Sequence, residues 1–293
     1  MTADLYPTRN GGDLAFVNRC DPVAYGTPGD GPLSASELAS FDIDGFHTID
    51  RLITPDQVAV YRAELRRMSQ DETLLADGRT VTEPGSREVR SIFEVHKISE
   101  TFAGLLTSPE VVGLARQILG SDVYLHQSRV NFKPGFGGNG FYWHSDFETW
   151  HAEDGMPRMR AVSVSIALTE NLDCNGPLMI MPGSHRTFVP CPGETPADHY
   201  KESLKNQEIG TPGPESLSAL AGKHGVKQFT GPAGSATLFD CNCMHGSNGN
   251  ITPFPRSNVF AVFNSVENAL ADPFAAPAPR PSFIAARDLT PIA

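Results

Sequence analysis

Residues 123–134 read VYLHQSRVNFKP, and the alternation running through them decides what kind of chain this is. Successive side chains of a β-strand point to opposite faces. Read that way, Val123, Leu125, Gln127, Arg129, Asn131 and Lys133 share one face. Tyr124, His126, Ser128, Val130 and Phe132 share the other. The run of polar residues from Gln127 to Lys133 fits either a solvated sheet surface or the wall of a polar cavity.

Working outward, further strands are expected in FYWHSDF (141–147), RAVSVSIALT (160–169), GPLMIMPG (176–183), SATLFD (235–240) and SNVFAVFN (257–264), each bounded by Gly, Pro or Asn. In 160–169 Val162, Val164, Ile166 and Leu168 face one way. Ala161, Ser163, Ser165 and Ala167 face the other, a small-residue face that leaves room for a ligand. Two helices precede the strands. Thr54 caps one that opens at Pro55, with Val58, Tyr61, Leu65 and Met68 on one side; Ser108 and Gly120 bound the other. Residues 71–90 read as a polar loop.

Strands after helices, without β-α-β alternation, predict a mostly β chain: a double-stranded β-helix (jelly roll, cupin-like) with helices packed on one side. We expect a single domain over 1–293. It comprises an extended N-terminal arm (1–35), a helical flank (36–120), a core (121–268) interrupted by a lid-like insertion (186–228), and a Pro/Ala-rich C-terminal arm (269–293).

Composition narrows the function. Lys plus Arg number 23 against 34 Asp plus Glu, a net charge of −11, and no basic cluster stands out, so nucleic acid is not expected as a partner. No apolar run suits a membrane span or a secretion signal. Five irregularly spaced cysteines argue against a disulfide framework, and a reducing, cytoplasmic location is expected.

The chemistry is concentrated in His144-Ser145-Asp146. Two residues apart on a strand means one shared face. His245 follows the strand SATLFD. Two histidines and one carboxylate form the facial triad of non-haem iron(II) oxygenases, with positions left open for a bidentate co-substrate and dioxygen. Arg256 comes eleven residues after His245, beyond a Gly/Pro-rich turn that can fold it back towards the metal. Its planar fork suits a carboxylate, and a surface ion pair is the alternative reading. Lys133 and Asn131 lie on the polar face noted above.

Other motifs carry less. Residues 135–140 match G-x-G-x-x-G, but a strand rather than a helix follows, against a dinucleotide fingerprint. Cys241-x-Cys243-x-His245 has no spacing of a structural zinc site. His151 is the nearest rival ligand but has the wrong parity relative to His144.

His144-x-Asp146, His245, Arg256, the stretch GPLMIMPGSH (176–185) and the opening FDIDGFHTIDRLITPDQV (41–58) resemble the phytanoyl-CoA dioxygenase family. Residues 141–185 and 239–258 are similar to the branch of that family whose members hydroxylate ectoine, a small cyclic zwitterion. The resemblance implies iron(II), 2-oxoglutarate and dioxygen, with ectoine converted to 5-hydroxyectoine and release of succinate and carbon dioxide. It implies metal ligation by His144, Asp146 and His245, and co-substrate contacts at Asn131, Lys133 and Arg256. It places Gln127, Phe141, Trp150, Ser165, Phe239 and Phe260 around ectoine; core packing is the other reading for the aromatic residues. Family members are often homodimers, so the resemblance allows that assembly. Two rivals stand beside this reading: a relative acting on another small zwitterion, and a non-catalytic ligand-binding jelly roll.

Overall fold

The computed structural model describes residues 3–11 and 15–293. Two antiparallel sheets carry it. The larger runs, in spatial order, Phe46–Ile49, Ala236–Asp240, Ala161–Ala167, Arg256–Ser265, Val123–Lys133, Val89–Phe93 and Thr80–Thr82. The smaller runs Lys227–Phe229, Leu178–Ile180, His245–Ser247 and Phe141–His144. Neither closes into a barrel; they pack face to face, and Phe46, Phe239 and Phe260 of one meet Leu178, Ile180 and Phe229 of the other.

Helices cover the outer face of the larger sheet. Val162, Val164, Ile166 and Leu168 pack there against Leu65, Met68, Leu114 and Ile118, which leaves Ser163 and Ser165 on the inner face. The helix Pro55–Gln70 starts as expected: Thr54 accepts from Gln57 N and the Gln57 side chain answers at Thr54 N. The helix Pro109–Leu119 ends at Gly120, whose φ of 58° is the left-handed conformation of a helix stop. Among the described residues no helix is long and apolar enough to cross a membrane. The polar stretch 71–90 is not a loop: it holds a short helix, Glu72–Leu75, and most of a hairpin that extends the larger sheet. Its polar side chains alternate with Val81 and Val89, and that was the missed strand signal.

The alternation in 123–133 also needs correction. Gln127 lies opposite Val262 but Leu125 opposite Phe263, so His126 is an extra residue, a β-bulge. The bulge exchanges faces. Val123 and Leu125 join Val130 in the helix-covered core, while Gln127 and Arg129 line an internal cleft.

The N-terminal arm is far less loose than its composition suggests, although residues 1, 2 and 12–14 of it lie outside the described residues. Tyr6, Thr8 and Arg9 are buried. Arg9 bridges Glu148 at 2.7 Å and Glu153 at 2.6 Å, and Thr8 Oγ1 donates to Glu148 at 2.7 Å. The C-terminal arm inserts Arg280, which grips Asp154 through two hydrogen bonds. Removing one partner of a buried ion pair strands the other. Arg9→Ala should therefore cost about 3–5 kcal/mol, read as a drop in the denaturant midpoint, whereas Arg67→Ala, an exposed side chain paired with half-buried Glu64, should cost less than about 1 kcal/mol.

Candidate metal centre and its cleft

His144 ends the strand Phe141–His144, Ser145 is extended, and Asp146 opens the short helix Asp146–Thr149. The expectation that His144 and Asp146 share a strand face is thus corrected: the carboxylate comes from a helical first turn. Phe147 N donates to Cys241 O at 2.8 Å and ties that turn to the segment leading into His245. His245 and His144 are cross-strand partners, with ring centroids 4.3 Å apart.

The three side chains converge. His144 Nε2 lies 3.6 Å from Asp146 Oδ1, and His245 Nε2 lies 3.8 Å from Asp146 Oδ2. One ligand atom from each falls within 4.8 Å of the others, a spacing one metal ion can bridge. Both imidazoles are oriented from behind. Nδ1–H of His144 donates to Tyr142 O at 2.6 Å, and that of His245 to Cys243 O at 3.0 Å. A carbonyl only accepts, so the proton sits on Nδ1 and both Nε2 lone pairs point inward. Burial, then the neighbouring His144, pushes His245 down to about 4, which keeps it neutral and able to ligate at pH 7. Burial works against charge on Asp146, but His245, His144 and Arg129 outweigh it and hold the carboxyl below its ordinary range.

A cleft opens from this trio. Gln127, Phe141 and Trp150 line it together with His144 and Asp146. Phe141 reaches the same side as His144 because of a second bulge: Ser247 faces Phe141 while His245 faces His144, so three steps on one strand match two on the other. Trp150 is both wall and prop: it lines the cleft and packs beneath it with Phe147 and Met156. Phe239 and Phe260 belong to the apolar layer between the sheets. The Phe239 ring lies 5.0 Å from that of His245, and Arg129 Cζ lies 5.2 Å from the Phe260 ring centroid. Ser165 is not brought to the cleft; it accepts from Asn258 Nδ2 at 3.0 Å and opens on a separate small cavity with Thr237 and Phe229. His151 points away, bonded to Asp4 and to Met156 O.

The expected co-substrate residues form a buried cationic end. Lys133 and Arg256 are direct cross-strand partners, 1% and 3% exposed. Lys133 Nζ donates to Ser247 Oγ at 2.8 Å and also to Asn248 O. Asn131 is held by Ser91. Arg256 Nε has no hydrogen-bond partner among the described residues, and burial alone pushes the group down to about 10. Burial, then Arg256 and Arg90, pushes Lys133 down to about 6. Arg256, a buried cation with no acid acting on it and an amine beside it ready to take up a proton, is a site built for an anion.

Sequence reasoning passed over several lining residues. Arg129 sits on the polar face between Gln127 and Asn131, and the spacing alone could have selected it. It is half-buried, donates to Gln127 Oε1, and its Nε is enclosed and unpartnered among the described residues. Thr149 and Arg280 also line the cleft, but only the helical turn and the C-terminal arm bring them there, and neither is legible in strand parity. Ser247, two residues after His245 on one strand, had a readable signal.

Residues 41–258 match the phytanoyl-CoA dioxygenase (PhyH) family. An ectoine dioxygenase of Streptomyces coelicolor is 64% identical over 290 residues, covering 99% of this chain and 97% of that one. Among solved structures, EctD from S. alaskensis with 2-oxoglutarate and 5-hydroxyectoine aligns at a TM-score of 0.89 and 48% identity, over 97% of this chain and 95% of that one. The same protein with bound Fe aligns at 0.88 and 45% identity, over 99% of this chain and 100% of that one.

His144→Ala, Asp146→Ala and His245→Ala should each lower iron content per chain well below that of the parent after anaerobic reconstitution, with circular dichroism unchanged. A variant that keeps full iron takes its residue out of the ligand set.

Proposed function

This chain belongs to the phytanoyl-CoA dioxygenase family, and from that premise we propose how its residues perform the iron(II)- and 2-oxoglutarate-dependent hydroxylation of ectoine to 5-hydroxyectoine. The observation that carries the reading is a pair of guanidiniums whose Nε atoms are enclosed without a partner among the described residues. Arg256 and Arg129 each bury an unpartnered Nε, and they sit on paired strands four residues apart in register, roughly 13 Å at about 3.3 Å per residue. Two buried cations at that separation, with the histidine–carboxylate trio beside one of them, suit two different carboxylates: a co-substrate at one and a zwitterionic substrate at the other.

His144, Asp146 and His245 would hold iron(II), which supplies dioxygen activation when it is bound with the keto-acid end of 2-oxoglutarate. The chain does the rest. Arg256 and Lys133 take the distal carboxylate of 2-oxoglutarate, with Asn131 alongside; Phe141, which the resemblance sets around ectoine, also stands 5.4 Å from Lys133 Nζ and so borders both ligands. Arg129 takes the substrate carboxylate, and Gln127 is held beside it by Ile284 O. Trp150 presents an indole to the delocalised amidine cation. Phe239 and Phe260 close the apolar side and exclude water, and Ser165 steadies Asn258 beneath them. Asp146 keeps its charge and Nδ1–H keeps each histidine ring in place, so the substrate carbon is oxidised next to a fixed metal. We propose one catalytic domain, working in the cytoplasm; the five cysteines are all unpaired, as in a reducing compartment. Homodimer formation, carried by the resemblance, is open to light scattering.

Mass spectrometry of ectoine incubated with protein, iron(II), 2-oxoglutarate and air tests the assignment: ectoine should gain one oxygen with stoichiometric succinate. Untouched ectoine beside oxidation of another small zwitterion would move the substrate assignment to that solute.

Lys133 gives a pH signature. Its pKa of about 6 in the free protein makes it mostly neutral at pH 8, and a bound dicarboxylate favours the charged form. Binding therefore takes up a proton, and affinity for 2-oxoglutarate should fall as pH rises above 6. Anaerobic calorimetry in buffers of different ionisation enthalpy should show proton uptake at pH 8 that disappears in Lys133→Met.

A further inference from the structure

Arg90 lines the cleft, yet its guanidinium is already committed to the protein. Nη1 lies 3.2 Å from Glu83 Oε2, Nη2 donates to Gly140 O at 2.9 Å, and Nε donates to Leu204 O at 3.3 Å. Its Cζ stands 3.8 Å above the centroid of the Phe141 ring. Lys133 Nζ lies 5.4 Å from the same centroid.

The local sequence places it there. Ser91 pairs with Val81, but Val89 pairs with Thr82, so Arg90 is the extra residue of a bulge. The guanidinium and Glu83 are both buried, at 3% exposed each. Asn139 Nδ2 donates to the same Glu83 oxygen, Oε2, at 2.9 Å. Three segments distant in sequence thus meet on one planar fork: the hairpin with Glu83, the glycine-rich loop ending at Gly140, and the insertion at Leu204. Each of its three nitrogens already donates to the protein, so Arg90 serves the frame of the cleft. What it can do is hold a ring and a lid in register.

We propose that Arg90 is a positioning residue that couples the 186–228 insertion to Phe141, so that closing the cleft and seating 2-oxoglutarate beside Lys133 depend on each other. This rests on reading Phe141 as part of the 2-oxoglutarate site. A flat cation suits this place: a guanidinium can stack on Phe141 while bonding backbone carbonyls and a carboxylate around its edge, and a lysine cannot reproduce that.

The test is a double-mutant cycle between Arg90→Lys and Phe141→Leu. KM for 2-oxoglutarate, kcat, and the ratio of succinate to hydroxylated product are measured, with thermal melting and iron content alongside. Arg90→Lys should raise KM for 2-oxoglutarate about tenfold and release succinate in excess of product, with iron content unchanged. In the Phe141→Leu background the same substitution should change KM by less than about twofold. Glu83→Gln, which loosens the fork while keeping Arg90, should shift KM in the same direction. Unchanged KM and coupling in a folded Arg90→Lys protein overturn the proposal. So do effects that multiply across the cycle, because they mean Arg90 acts independently of Phe141. If Arg90→Lys does not fold, unchanged KM and coupling in Glu83→Gln overturn it. A wild-type protein that consumes no 2-oxoglutarate removes the functional reading beneath it instead.

Discussion

Three carboxylates on one short stretch, Glu148, Glu153 and Asp154, hold the rest of the site in place. The stretch from Asp146 to Asp154 is a helical turn running into a turn of π-helix. One side presents Asp146, Thr149 and Trp150 to the cleft. The other buries those three acids against Arg9 from the N-terminal arm, His199 from the insertion and Arg280 from the C-terminal arm. Acids buried this deeply are tolerable only when paired. The pairs therefore dictate where the arms lie, and the arms dictate where a metal ligand and a pocket wall sit. Gly210 belongs to the same arrangement: at φ 80°, a Cβ there would meet Arg9 Nη2 at 2.3 Å.

The cationic side of the cleft follows the opposite rule. Arg256 is buried with its Nε unpartnered among the described residues, the acid nearest to Arg129 is the candidate metal ligand Asp146, and Lys133 has nearby a Glu83 already bound to Arg90; burial depresses all three. The fold keeps donors unsatisfied until anions arrive, a stability cost placed where binding recovers it. Paired charges build the frame, and unpaired ones select the ligands.

Much of this was legible in residue order. The small face of 161–167, the capping of Pro55–Gln70 and the convergence of His144, Asp146 and His245 could be read from alternation and spacing. The misreadings come from local geometry. Three bulges, at Arg90, at His126 and at Tyr142–Trp143, each add one residue to one strand. A parity count carries no mark of an inserted residue, so Val123 and Leu125 were placed with Gln127. Ser165 differs: it lies on the inner face, as its alternation predicts, but its hydroxyl accepts from Asn258 and opens on a separate small cavity. Arg280 could not be found at all, because only an ion pair across 126 positions brings it in.

The bond from Gln127 Nε2 to Ile284 O spans 157 positions. During synthesis Gln127, Arg129 and both histidines emerge well before Ile284 and Arg280. Contacts of such separation form late, after the loop-closure entropy has been met by the sheets. A chain cut short before Arg280 would therefore keep all three candidate metal ligands while losing Arg280 from the cleft wall and the carbonyl that holds Gln127.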